Sequence, residues 1–230
     1  MTRTGTARQA RASEDVAAQI LSSFYADGLK PGEWLGTEAS LAERFGVSRV
    51  TIRDAVSALS ARGLLDVRVG ARGGLRIARH DPAKLIDAFS IQLRLLGLTR
   101  DELFEAMLAI EPVTASLAAT RATPEQLAQL AALVEQGCAA LDDLQRFTEL
   151  SVNFHQAVAE ASNNRALGAS LAAVRATQLE HLVPETTRAI GQRVSRIHAS
   201  ILEAIRAHEP ELAGRRMREH LAAMSGHSAV

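Results

Sequence analysis

TEASLAERFGVSRVTIRDAVSAL, residues 37–59, decides the fold of the amino-terminal third of the chain. Thr37 can cap a short helix carrying Leu41, Ala42 and Phe45, and Gly46 breaks that helix. Ser48 then caps a second one, on which Ile52, Ala55, Val56 and Leu59 make an apolar face. Ala42 is small where two helices must cross closely. Upstream, Ser13 before Glu14 and Asp15 predicts a helix start. Val16, Ile20 and Phe24 recur at fourfold spacing, and Gly28 and Pro31-Gly32 stop the helix. Trp34 is expected to pack between these first two helices. Downstream, Gly63 ends the third helix and the period changes to two. Leu65, Val67 and Val69 alternate with charged residues, the run from Gly70 to Gly74 turns the chain, and Leu75 and Ile77 lead back. Helix, short helix, glycine turn, helix and β-hairpin is the order of a winged helix-turn-helix.

Arg49 and Arg53 lie four apart beside the apolar face, so both can project from the start of the third helix, where arginine and small hydroxyls suit phosphates and base edges. Residues 1–80 hold twelve Lys and Arg against eight Asp and Glu, whereas residues 81–230 hold fourteen against eighteen. The basic excess is in the first third although the whole chain has no net charge. That neutrality argues against a nonspecific DNA-packaging protein. Met1 to Ala12 is acid-free and carries Arg3, Arg8 and Arg11, which predicts a disordered basic arm over residues 1–12. Cys138 is the only cysteine, so no internal disulfide forms. No wholly apolar run approaches the ~18 residues that span a bilayer, and the expected location is cytoplasmic.

The runs Leu29 to Glu33, Leu41 to Arg49 and Ile52 to Val56, with Glu38, Leu59 and Gly63-Leu64-Leu65, resemble the GntR family of bacterial regulators. The resemblance implies a DNA-binding domain over residues 13–78. Ser48, Arg49, Thr51 and Arg53 would meet the major groove, Gly70 and its neighbour Arg72 in the wing would meet the minor groove, and Arg44 would join the DNA-binding set. Ala39 stands where the family usually has arginine, which removes one expected contact.

Residues 79–230 read as a bundle of six to seven helices, making the whole chain mainly α. Thr99 to Glu102 and Thr123 to Gln126 are capping boxes, the second with Pro124 at its start. Asn163-Asn164 and Pro184 are breaks, and Glu209-Pro210-Glu211 opens the last helix. Leu103 to Ala106 leading to Glu111-Pro112, Asn153 to Ala161, and Met217 to Leu221 resemble the FadR C-terminal (FCD) effector domain of GntR regulators. The implied protein is a homodimeric transcriptional regulator, more in keeping with a repressor than an activator. It would read a pseudo-palindromic double-stranded DNA operator under control of a small-molecule effector, with no membrane partner. Many relatives hold zinc or a similar ion with three histidines, here His155, His198 and His220, plus an Asp one turn before the first. Ser151 occupies that place. The resemblance thus implies a zinc, nickel or manganese site lacking its carboxylate, with Glu111 a hydrogen-bond partner rather than a ligand. Met107 stands where the family often has arginine. Together with Ser151 it points to an effector more apolar than a chelating carboxylate, such as an acyl compound. The competing reading is a metal-dependent hydrolase, since three histidines with an open position also describe catalytic zinc. It leaves the amino-terminal domain without a purpose, and the chain is expected not to be an enzyme.

Overall fold

The computed structural model describes residues 3–26, 28–70, 73–79, 81–177 and 186–224. The chain divides into two compact units, Met1–Asp81 and Pro82–Val230. In the first, α1 (Arg3–Ala26), β1 (Trp34–Gly36), α2 (Glu38–Phe45), α3 (Arg49–Ala61), β2 (Leu65–Arg68) and β3 (Gly74–Ile77) follow in order. The strands form an antiparallel sheet with β3 in the middle.

Local chemistry sets the helix-turn-helix. The Thr37 hydroxyl accepts the Ser40 N–H while Ser40 answers the Thr37 N–H, a reciprocal cap on α2. Gly46 closes α2 in the left-handed conformation at φ 64°, a position that favours glycine. Two residues later the Ser48 hydroxyl accepts the Thr51 N–H at 3.1 Å and starts α3. Ile52, Ala55, Val56 and Leu59 then face inward against Val16, Ile20, Leu41 and Leu75.

Three expectations for this unit need correction. The chain is already helical at Arg3, so residues 3–12 are not a disordered arm. Ser13 lies within α1 and donates back to the Ala10 carbonyl at 2.8 Å. Arg8-Gln9-Ala10-Arg11-Ala12 contains no helix breaker, and the helix runs through it. Trp34 is 54% exposed on β1 instead of packing between helices. That strand was not foreseen, because three residues are too few to display alternation.

The second unit contains seven helices among the described residues: α4 (Pro82–Leu95), α5 (Arg100–Arg121), α6 (Pro124–Ala139), α7 (Leu144–Ala161), α8 (Arg165–Ala176), α9 (Arg188–Arg206) and α10 (Pro210–Met224). The break expected at Pro184 lies outside the described residues. Both predicted capping boxes form, at Thr99 and Thr123. Asn163, at φ 52°, turns the chain out of α7, and the Asn164 side chain accepts from the Ala166 and Leu167 amides to start α8. α5 is the central helix, packing on α7, α8, α9 and α10. By length and composition it could cross a membrane, but half of its apolar window is buried inside this unit. Its closest neighbour is α10. A Cβ on Gly214 would stand 3.0 Å from the Pro112 carbonyl and closer still to the Ser116 hydroxyl. Glycine is what lets the two helices meet there.

Candidate functional site

α7, α9 and α10 each bring one imidazole to the middle of the second unit. His155, His198 and His220 are 2%, 4% and 2% exposed, and their candidate ligand nitrogens all lie within 4.8 Å of one another. His220 Nε2 is 3.2 Å from His155 Nε2 and 3.4 Å from His198 Nε2. Two nitrogens bound at about 2.05 Å to a tetrahedral ion stand about 3.3 Å apart, so the spacing fits a divalent cation. Phe154 stacks on His198 with ring centroids 4.2 Å apart and fixes its plane.

Protonation favours the same reading. Burial holds His155 and His198 well below the usual imidazole pKa and brings His220 to about 3, so all three are neutral. Neutral imidazole is the metal-binding form. His155 Nδ1 lies 2.5 Å from Glu111 Oε2, and with the carboxylate ionised it is the donor, which leaves its Nε2 as a lone pair facing the triad. An N–H on His220 Nε2 can serve only one of its two neighbours well, and a cation would satisfy all three nitrogens together.

Behind His155, Arg175 on α8 donates through Nε at 3.1 Å and Nη2 at 2.5 Å to Glu111 Oε1. Burial pushes the Glu111 carboxyl pKa up, and Arg175 pulls it part of the way back. Glu111 is fully buried and committed to Arg175 and His155, in the partner role expected of it. Arg175 was not anticipated. The available signal was an arginine continuing the apolar face of Leu171 and Val174 on α8. Ser151 is half-buried one turn before His155. Met107 is buried at 2% in the apolar core.

At the other end of the chain, Arg44, Ser48, Arg49 and Arg53 are exposed on α2, α3 and the turn between them. Arg53 pairs with Glu38 at 3.2 Å, while Arg49 makes no ion pair among the described residues. Thr51 departs from expectation. It is 6% exposed and its hydroxyl lies 2.9 Å from that of Ser48, so it belongs to the helix cap and is not open to a groove. Gly70 is exposed at the hairpin tip, with φ 116°, and its carbonyl accepts the Gly73 amide at 2.7 Å. Arg72 lies outside the described residues.

A capped recognition helix beside a hairpin wing, followed by an all-helical unit around three histidines, defines a ligand-responsive DNA-binding regulator. Residues 12–73 match the gntR family of bacterial regulatory proteins and residues 102–223 match the FCD domain. The chain is similar to the HTH-type transcriptional repressor NanR of Escherichia coli strain K12, 31% identical over 84% of this chain and 75% of that protein. NanR of Salmonella newport is 31% identical over 84% and 76%. Among solved structures, the Streptococcus agalactiae GntR protein is 28% identical with a TM-score of 0.59, covering 92% of this chain and 98% of that one. This chain belongs to the GntR family of transcriptional regulators, with an FCD effector domain behind its winged helix.

Proposed function

We propose that the chain is a cytoplasmic homodimeric repressor of a pseudo-palindromic double-stranded DNA operator, without a membrane partner. Its helical unit holds a divalent ion (zinc, nickel or manganese) on His155, His198 and His220, beside a small-molecule effector. The observation that carries this reading is the convergence of three neutral, buried imidazoles in a protein whose other unit exposes the start of α3. An effector acts by binding one arrangement of the dimer more tightly than another. Leu85, Phe89 and Leu95 on α4, with Leu96 just past its end, are exposed, an apolar surface that a second copy can cover isologously. Repression is the role named for the NanR relatives. A hydrolase is the weaker reading, because Glu111, the carboxylate at the triad, is held by Arg175 and His155 and has no freedom to act as a general base.

Two results test it. Arg49→Ala is expected to weaken binding to the DNA upstream of the protein's own coding region by about 10- to 100-fold, the effect of losing one good base-edge contact. Binding to unrelated DNA should fall much less, and equal losses on both would remove Arg49 from sequence reading. Plasma mass spectrometry of the purified protein should find about one divalent metal per chain, absent from His155→Ala. A metal retained by that variant would place the ion elsewhere.

A further inference from the structure

Val50 is 54% exposed on the first turn of α3, while Ile52, Val56 and Leu59 on the same helix are buried. A lone exposed valine is ordinary on a protein surface, so its place on the helix decides what it means. Successive residues of an α-helix are about 100° apart, and Ile52, Ala55, Val56 and Leu59 define the inward direction of α3. Val50 points almost directly away from them, with Arg49, Arg53 and Ser57 around it, all exposed. In a helix-turn-helix the start of the second helix is the part that meets base edges in the major groove.

The polar side chains around Val50 are only partly free to read bases. Thr51 is 6% exposed and its hydroxyl is given to Ser48. Arg53 reaches back to Glu38 at 3.2 Å, whereas Arg49 makes no ion pair among the described residues. The outermost position between the two arginines is filled by an isopropyl group that can neither donate nor accept a hydrogen bond. The fold has no use for it there. Val50 is not among the apolar side chains that pack against the core of this unit, and β-branching slightly disfavours a helix.

An apolar group has one specific partner in the major groove. Guanine, adenine and cytosine present donors and acceptors there, and thymine adds a C5-methyl group. We propose that Val50 reads a thymine methyl in each half of the operator, beside the base that Arg49 meets. This rests on α3 being the helix that enters the groove. Consecutive Cα atoms are about 3.8 Å apart and stacked base pairs about 3.4 Å, so that thymine lies within about two base pairs of the base at Arg49. Arg49 reads an acceptor edge by hydrogen bonding, and Val50 fixes its neighbour by closing apolar surface from water.

The test begins with an operator selected by the full-length protein from randomised duplex DNA. Each thymine is then replaced in turn by deoxyuridine, which lacks only the methyl, and binding is read by fluorescence anisotropy. One thymine per half-site, near the position where Arg49→Ala relaxes base preference, should lose about fourfold in affinity on replacement, the effect of one buried methyl. Replacing both should cost about tenfold. The Val50→Ser protein should bind the thymine and uracil operators alike while keeping its preference at the base that Arg49 meets. A Val50→Ser protein that retains the full uracil penalty overturns the proposal, and so does a native protein indifferent to uracil at every thymine near that base. Failure of the native protein to select any DNA sequence overturns the DNA-reading role beneath it.

Discussion

Replacing Arg175 by Met lowers the melting temperature by about 10 °C. The substitution fits the volume but strands the fully buried Glu111 carboxylate, whose Oε1 now accepts from Arg175 Nε and Nη2. Removing one member of a buried ion pair costs about 3–5 kcal/mol, and each kcal/mol shifts a protein of this size by roughly 2–4 °C. Part of the cost is escaped by protonation, to which burial already inclines Glu111. Adding Glu111→Gln to Arg175→Met should recover a good part of the loss, because no charge is then left without a partner. Arg146→Met, which breaks the exposed pair with Glu149, is the control and should cost under about 1 kcal/mol. Equal shifts for Arg175→Met and Arg146→Met in differential scanning calorimetry would show that the buried pair is no more important than a surface one.

Acid should unfold the metal-free protein at a pH where most carboxylates are still ionised. Imidazoles in the unfolded chain take up protons near pH 6.5. In the folded protein His220 resists until about pH 3, and His155 and His198 are also held well below their usual value. Between pH 7.5 and pH 5.5 the unfolded state therefore binds protons that the folded state refuses, and stability falls as pH falls. Each histidine contributes about 1.3 kcal/mol to that loss over the interval. Glu111, with its raised pKa, runs in the opposite direction, one group against three. The net loss is roughly 2–4 kcal/mol, measurable as a lower urea midpoint at pH 5.5 in chelator-treated protein. His220→Leu should reduce the difference between the two pH values by about a third. Identical midpoints at both would mean that the triad does not sit neutral in a closed core.

The helix-turn-helix was legible because each of its turns is specified by residues adjacent in sequence. Thr37, Gly46 and Ser48 act within three residues of themselves, and the structure uses each where it was expected. The start of α1 was misread for the same reason in reverse. Ser13 with two acids behind it has the local chemistry of a cap, but nothing before it obliges the helix to begin there. The triad is a different case. His155, His198 and His220 come from three helices, and no periodicity along one helix joins them; only the family likeness did. Arg175 had not even that help. Its partner Glu111 precedes a proline, which reads as a helix boundary, yet Pro112 lies inside α5 and Glu111 faces the core. The spacing on α8 marks Arg175 as continuing an inward face, but nothing in either helix names the partner of this long-range ion pair.

The contact at Gly214 reaches beyond the two helices it joins. Gly214 and His220 lie on one rigid rod, six residues and about 9 Å apart along α10. The distance at which α10 rests on Pro112 and Ser116 therefore sets how deep His220 reaches between its two partners. Any side chain at 214 acts as a shim under one end of a lever: it lifts the rod and withdraws the imidazole. Such a residue would touch no ion on the triad, yet it governs whether the three imidazoles can meet, and a search for site residues by proximity alone passes over it.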